Sequence, residues 1–274
     1  MKPYARFASP ASAHDSGQVL GARIHALSMD QAVTRITDWA SRRESRYVCL
    51  CNVHSVVTAS REQDFQDSIH GADLAAPDGA PVAWMLRRQG FAGQPRLAGP
   101  DLMWACLARM QALELSVFLY GSTEATLELL RARLRRDFPG LRVAGAVAPP
   151  FRQLTLDEER RMIAQIKDSG AQVVFVGLGC PKQELWMARQ RQRIPAVLVG
   201  VGAAFDYHAG TLRRAPPWWQ SHGLEWLYRL AMEPRRLARR YAVTNTLFLI
   251  GCCRQFLAQG LRGNRGQASG IRDQ

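Results

Sequence analysis

The amino-acid sequence predicts an α/β fold in which a mostly parallel sheet is flanked by helices. Short runs of β-branched and other apolar residues alternate along the chain with longer segments of helical character. One such run, residues 173–176, passes through a glycine turn at 177–179 into a helix that opens at Pro181. This order of strand, turn and helix is typical of Rossmann-like sheets, whose ligands bind at the carboxyl ends of the strands.

The individual elements follow from local patterns. Strands are predicted at 19–24, 47–51, 116–120, 142–147, 172–176 and 196–201. Helices are predicted at 28–41, 53–70, 80–89, 99–113, 123–138, 155–169, from 181 onward, at 224–231 and from 234 onward. Ser28 is a good N-cap, and Thr155 with Glu158 three residues later forms a capping box. Asp78-Gly79, which follows residues 73–77, is a turn signal.

Changes in composition divide the chain into four parts. Residues 1–18 are predicted to be a flexible leader, 19–210 a catalytic core, 211–260 an Arg- and Trp-rich helical appendage, and 261–274 a flexible tail. The chain carries a formal charge of +13, and residues 211–260 hold eight Arg and two Glu, which gives that segment +6. Such an excess predicts a polyanionic partner: nucleic acid, a phosphorylated substrate or an anionic lipid surface.

The appendage has an amphipathic pattern. In the helix expected from Pro234, Arg236, Arg239 and Arg240 share one face, and an apolar set that includes Leu237 and Phe248 shares another. A basic, aromatic, amphipathic helix is typical of elements that lie on a membrane surface. The alternative is a terminal helical pair whose apolar face packs on the sheet.

The number and spacing of the cysteines indicate the cellular compartment of the protein. The chain has six, and their spacing matches neither a zinc site nor a disulfide framework. The first residues lack the continuous apolar stretch of a signal peptide, and the apolar run 247–253 is too short to span a bilayer. We therefore expect a cytoplasmic protein.

The turn at 177–183 is a candidate anion site. Gly177 and Gly179 let a phosphate approach the main chain, and Lys182 and Gln183 add a cation and an amide at the N-terminus of a helix. The alternative is a turn whose glycines serve only its geometry. Asn52, Gly121 and the 200–206 turn also fall at predicted strand ends.

Taken in order, these and further motifs resemble the WecG/TagA/CpsF family of bacterial glycosyltransferases. The resemblance covers residues 19–241 and rests on Asn52, Pro77-Asp78-Gly79, Arg96-x-x-Gly99-x-Asp101, Tyr120-Gly121, Val176-Gly177-Leu178-Gly179-x-Pro181-Lys182-Gln183-Glu184, Gly200-Val201-Gly202-x-x-Phe205-Asp206, Arg214-Ala215-Pro216, Leu224-Glu225-Trp226-Leu227-Tyr228-Arg229 and Glu233-Pro234-x-Arg236-x-x-Arg239-Arg240-Tyr241.

The resemblance implies a reaction. Members of this family take part in the synthesis of wall teichoic acid, enterobacterial common antigen and exopolysaccharide. They transfer a sugar from a UDP donor to a hydroxyl of a glycan carried on a polyprenyl diphosphate, with inversion at the anomeric carbon. Such a displacement needs a base at the acceptor hydroxyl and positive charge for the leaving UDP.

The resemblance also implies roles for single residues. Asp78 matches the proposed base, Arg96 an arginine that meets phosphate or acceptor, and Asn52 a group that contacts the sugar or fixes its loop. Their alternatives are an Asp-Gly turn, a surface cation and an Asx turn. The donor side is matched by Gly121, Ser122, Gly177, Gly179, Lys182, Gln183 and Asp206. Arg229, Arg236 and Arg239 match appendage arginines that contact the acceptor diphosphate at the inner face of the plasma membrane.

Two features refine these expectations. Family members that use N-acetylmannosamine carry Thr two residues before the asparagine, whereas this chain has Leu50 there. The donor sugar is therefore left open between a hexose and an N-acetylhexosamine. The chain contains no Asp-x-Asp pair, so a reaction without metal or other cofactor is expected. A homo-oligomer is included among the expected partners, and nucleic acid is not.

Three other functions fit the sequence less well. A nucleotide-dependent oxidoreductase would require a glycine fingerprint after the first strand, which is absent. A nucleic-acid-binding protein is suggested by the charge alone, without a supporting motif. A non-enzymatic membrane adaptor would not depend on Asp78.

Overall fold

The fold is built on a six-stranded sheet in a computed structural model that describes residues 16–269. The strands are β3 (Arg46–Cys51), β4 (Leu74–Pro77), β5 (Ser116–Gly121), β6 (Arg142–Val147), β7 (Val173–Gly177) and β8 (Val197–Gly200). Their order across the sheet is β4-β3-β8-β7-β5-β6, and every pairing is parallel. The prediction of an α/β fold with a Rossmann-like, mostly parallel sheet is confirmed.

Helices cover both faces of this sheet. They are α1 (Met29–Ser41), α2 (Val53–Ala59), α3 (Gln63–His70), α4 (Ala80–Arg88), α5 (Gly99–Ala112), α6 (Glu124–Asp137), α7 (Leu156–Asp168), α8 (Lys182–Gln190), α9 (Ala204–Ala209), α10 (Pro217–Ser221), α11 (Glu225–Met232) and α12 (Pro234–Ser269). One apolar layer joins the sheet to α2, α3, α4, α7, α8 and α12. The other joins it to α1, α5, α6 and α9. The central strands are thus buried on both sides, which explains their unbroken apolar runs.

The capping signals act as the sequence predicts. The Ser28 hydroxyl accepts a hydrogen bond from the N–H of Gln31, whose side chain binds back to the N–H of Ser28. Thr155 and Glu158 form the same reciprocal pair at the start of α7. These bonds satisfy N–H groups that a helix start leaves without partners, so they fix where each helix begins.

Three predicted elements differ in the structure. The strand expected at 19–24 is instead a hairpin of β1 (Ser16–Val19) and β2 (Ala22–His25), because Leu20 and Gly21 both adopt positive φ and reverse the chain. β1 takes in residues 16–18 of the predicted leader, and residues 1–15 lie outside the described part of the chain. The helix expected at 53–70 is split into α2 and α3 by a turn at 60–62.

The appendage is attached to the core through α12. Leu237, Thr244, Phe248 and Cys252 recur along one side of this helix and are buried, the last two in the same apolar layer as α2 and α8. The helix continues through the segment predicted as a flexible tail, to Ser269. In the described residues, no helix combines the length and the apolar character needed to cross a bilayer.

Candidate active site

Most of the residues predicted for the site lie at one edge of the sheet. Asn52 follows β3, Asp78 follows β4, Gly121 and Gly177 end β5 and β7, and Asp206 lies on α9 after β8. Because all six strands are parallel, their carboxyl ends meet at the same edge, where α/β proteins bind their ligands. The structure therefore gathers side chains that are far apart in the sequence.

Asn52 and Asp78 form a pair at the ends of adjacent strands. The side-chain Oδ1 of Asn52 caps α2 by accepting the N–H of Ser55 at 3.2 Å, and its Nδ2 donates to Oδ2 of Asp78 at a long 3.5 Å. The N–H of Asp78 donates to the carbonyl of Cys51 at 3.0 Å. The carboxylate is thus fixed by the main chain and oriented by one amide.

The environment of Asp78 changes its acidity. Burial, and secondarily the nearby negative charge of Glu225, raise the pKa of Asp78 from 3.8 to about 6. The hydrogen bond from Asn52 and the positive charges of Arg96 and Arg229 act in the opposite direction. A carboxylate with this pKa is mostly ionised near pH 7 and is still basic enough to accept a proton from a hydroxyl in a transition state.

Arg96 is held by the appendage. Its guanidinium forms an ion pair with Glu225 of α11 at 2.7 Å and donates to the side chain of Gln220 at 3.3 Å. Arg214, which binds both carboxylate oxygens of Asp101 on α5 at 2.5 and 2.7 Å, lies 3.7 Å from Glu225. These ion pairs connect α5 and the segment that precedes α5 with α11, close to Asp78.

Glu225, Arg214 and Gln220 were not predicted as site residues. Glu225 and Arg214 lie inside motifs that carry the family resemblance, and this position in the motifs could have identified them as site residues. A carboxylate that pairs with a site arginine was not foreseen, because an ion pair between residues 129 positions apart depends on tertiary packing.

The donor-side glycines bring two strand ends into contact. A Cβ atom on Gly121 would lie 2.5 Å from the carbonyl carbon of Gly177, and one on Gly177 would lie 2.9 Å from the ring of Phe205. Ser122 adopts a positive φ of 59°, donates its N–H to the carbonyl of Gly177 at 3.2 Å and its hydroxyl to Asp206 at 3.4 Å. Glycine is therefore required here by packing, and Ser122 and Asp206 lie together at this edge.

The start of α8 places the remaining predicted residues differently. Gly179 has a φ of +77° and Lys182 is exposed to solvent. Gln183 is buried: its side-chain Oε1 accepts the N–H of Gly202 at 3.1 Å, and its Nε2 donates to Glu184 at 2.9 Å. Gln183 thus ties the turn after β8 to α8.

Glu184 is a buried carboxyl group beneath this edge. It is 1% exposed, and its Oε2 has no hydrogen-bond partner. Burial raises the pKa of Glu184 to about 7. Glu184 lies in a motif that carries the family resemblance, without a predicted role; in the structure its carboxyl group orients Gln183 by accepting the hydrogen bond from the side-chain amide.

The arginines of the appendage fall into two groups. Arg229 lies over the ring of Tyr207 at 5.8 Å and close enough to Asp78 to lower its pKa. Arg236 and Arg239 are exposed, and Arg236 pairs with Glu233 at 3.0 Å. Arg240, which was not predicted as a site residue, is half-buried and has an Nε without a hydrogen-bond partner. Burial raises the pKa of Cys180, and the charge of Arg240 opposes part of that rise.

The described strand ends combine a carboxylate of raised pKa, Asp78, with the positive charges of two arginines. Across the described part of the chain, no group of three or more His, Cys, Asp or Glu side chains is placed to hold a metal ion. Asp78, Arg96 and Arg229 come together at the strand ends, which is an arrangement for accepting a proton beside an anionic leaving group.

The comparisons with known proteins identify the family. The sequence matches the family described as "Glycosyl transferase WecG/TagA/CpsF family" over residues 17–262. A relative from Bacillus spizizenii is described as "N-acetylglucosaminyldiphosphoundecaprenol N-acetyl-beta-D-mannosaminyltransferase" and is 31% identical over 224 residues, which cover 78% of this chain and 85% of the relative. The match extends over the sheet, the strand-end residues and most of the appendage. The chain therefore belongs to the WecG/TagA/CpsF family and is a glycosyltransferase.

Proposed function

We propose that this glycosyltransferase transfers a sugar from a UDP donor to a hydroxyl of a glycan on a polyprenyl diphosphate, with inversion, in the synthesis of a bacterial cell-surface polysaccharide. The observation that carries the proposal is the Asp78 carboxylate, held by Asn52 among Arg96 and Arg229. The relative's description names a diphosphoundecaprenol-linked acceptor, which supports the acceptor class.

The proposed mechanism is a single displacement. Asp78 accepts the proton of the acceptor hydroxyl as that oxygen attacks the anomeric carbon on the face opposite to UDP. Asn52 keeps the carboxylate in place. Cationic side chains at this edge stabilise the negative charge that develops on the leaving diphosphate, and they do so without a metal ion.

The donor is proposed to lie along the ends of β5 and β7. Gly179, whose Cβ position faces open space, leaves the main chain after β7 accessible to phosphate oxygens, and Ser122 with Asp206 provides hydroxyl and carboxylate groups for the nucleotide. Gln183 acts by holding the turn at Gly202 in position.

The identity of the donor sugar is open between a hexose and an N-acetylhexosamine. The relative transfers N-acetylmannosamine by its description. In this chain Leu50 is buried among apolar side chains on the α5 side of the sheet and has no hydroxyl to offer. This supports the proposal that donor choice differs from that of members with Thr at this position.

The test is UDP release, measured with a panel of UDP-sugars and a polyprenyl-diphosphate-linked acceptor. We expect release with one donor, a loss of at least about a hundredfold in Asp78→Asn, and wild-type rates in Asp168→Asn, which removes an exposed carboxylate at the end of α7. Equal rates in Asp78→Asn and the wild type would remove Asp78 from the mechanism. No release with any donor would contradict the proposed reaction.

We also propose that the enzyme acts at the cytoplasmic face of the plasma membrane as a peripheral protein. Trp226, Leu227 and Met232 of α11 are exposed apolar side chains next to the arginines at the start of α12. Apolar side chains flanked by cations are suited to an anionic lipid surface.

Liposome binding tests the membrane proposal. The double variant Arg236→Gln/Arg239→Gln is expected to bind anionic vesicles about tenfold or more weakly at low salt, at about 1 kcal/mol per cation. The matched control Arg131→Gln/Arg135→Gln changes two exposed arginines of α6 and should have little effect. Equal losses in both double variants would show that net charge, and not the appendage, drives binding.

A further inference from the structure

A groove separates α2 from α12 beside the candidate active site. Its volume is about 400 Å³, within the range of small-molecule sites. His54 and Val57 of α2 line one side, and Val243 and Leu247 of α12 line the other. None of the predicted site residues lines this groove, and the proposed mechanism leaves it without a role.

The face of α12 that borders the groove is apolar where it lines the groove and carries arginines in the preceding turns of the helix. Arg236, Arg240, Val243 and Leu247 are spaced by four, three and four residues, so they share one face of the helix. Ile250, three residues beyond Leu247, continues the apolar part and is exposed. A ligand on this face would meet arginines at one end and an apolar surface at the other.

The arginine-rich end of this α12 face lies on the side of the groove toward Asp78, the proposed base. His54 lies two residues after Asn52, the partner of Asp78. Burial, and secondarily the charge of Arg240, lower the pKa of His54, which shows that Arg240 lies near the imidazole. Nδ1 of His54 and Nε of Arg240 are both buried without a hydrogen-bond partner.

Unpartnered buried nitrogens favour a ligand that supplies acceptors. A buried donor without a partner is costly, so oxygen atoms placed there would restore its hydrogen bonds. Arg61 and Glu62 also line the groove, and their opposite charges offset each other. Arg240 adds a positive charge near His54, at the edge of the lining. The complementary ligand has a strongly anionic head and a long apolar tail.

We propose that the groove between α2 and α12 binds the first isoprene units of a polyprenyl diphosphate, with the diphosphate at His54 and Arg240. The proposal rests on the proposed function, whose acceptor it completes by naming a site for the lipid chain. It places the diphosphate next to Asp78 and directs the chain past Val243 and Leu247 toward the exposed apolar part of α12.

The first test measures binding without membranes or donor. Farnesyl diphosphate and inorganic diphosphate are titrated calorimetrically into the full chain. Because the farnesyl group would bury apolar area in the groove, we expect it to bind at least about tenfold more tightly than inorganic diphosphate. Equal affinities for the two probes would overturn the proposal.

Variants locate the site. Val243→Gln makes the groove polar and Val243→Trp fills it, and both should remove the preference for farnesyl diphosphate. Leu249→Gln, six residues further on the opposite side of the same helix, is the matched control, because Leu249 is also exposed. Tighter binding by Val243→Trp, or an equal loss in Leu249→Gln, would show general apolar adhesion and overturn the proposal, as would competition by a short-chain phosphatidylglycerol as effective as farnesyl diphosphate.

Kinetics separates this inference from the proposed function. With active enzyme, Val243→Gln should raise KM for the lipid-linked acceptor about tenfold while KM for the donor and kcat stay unchanged. An unchanged acceptor KM in an active enzyme would contradict the proposal for the groove and leave the proposed reaction intact. A preserved preference for farnesyl diphosphate in a protein that transfers no sugar would overturn the reaction and leave the groove supported.

Discussion

Replacing Asp78 with asparagine removes a carboxylate whose ionised form is destabilised by burial. The raised pKa means that the folded protein binds the Asp78 proton more tightly than the unfolded chain does. The ionised form that the proposed mechanism needs is therefore destabilising. Asp78→Asn should make the protein more stable and nearly inactive, a common exchange of stability for function in active sites.

The size of the gain follows from the pKa. A difference between 3.8 and about 6 corresponds to about 3 kcal/mol at neutral pH. Because the side chain is still partly accessible to solvent, we expect about 1–3 kcal/mol, or a rise in Tm of about 2–10 °C. The destabilisation that ionised Asp78 causes in the wild type is absent well below pH 4, grows as pH rises and is complete above pH 6. At pH 5 it should therefore have about half of its full size.

The assay is thermal unfolding of both proteins between pH 5 and 7.5. The difference in Tm should increase with pH, and Asp168→Asn, an exposed carboxylate, should change Tm little at any pH. A gain that is the same at pH 5 and pH 7.5, or a loss of stability at pH 7.5, would refute the assignment of a raised pKa to Asp78.

Two further predictions concern the surroundings of Asp78 and the donor side. Glu225→Gln removes a negative charge that raises the pKa of Asp78, so the acidic limb of the kcat/KM profile should move to lower pH by about 0.5–1 unit. Gly177→Ala introduces a Cβ atom 2.9 Å from the ring of Phe205, and urea unfolding should show a loss of about 1–3 kcal/mol.

Each of these variants has a control in the chain. Glu233→Gln removes the other carboxylate of the appendage, which pairs with Arg236 on the surface, and should leave the acidic limb in place. Gly140→Ala places its Cβ atom 3.4 Å from the flexible side chain of Gln111 and should cost little. A shift to higher pH in Glu225→Gln, or equal stability of the two glycine variants, would contradict the geometry.

Much of the fold could be predicted because its signals are local. Apolar runs predicted five of the six strands of the sheet, all except β4. Ser28 and Thr155 predicted two helix starts through side chains that bond within three residues. The hairpin at 16–25 was missed because its turn depends on a positive φ at Leu20, a residue with no turn preference.

The sequence by itself predicted that Asn52 and the glycines at 121 and 177 would meet, since parallel strands bring their carboxyl ends to one edge. Asp78 was assigned to the site only through the family resemblance, because no strand was predicted before it. Tertiary structure alone decided how those groups are used. The packing of α11 brings Glu225 onto Arg96, and that of α12 brings Arg240 beside His54. Gln183 is turned inward to hold Gly202. Such contacts depend on the relative positions of whole helices, which no short stretch of sequence specifies.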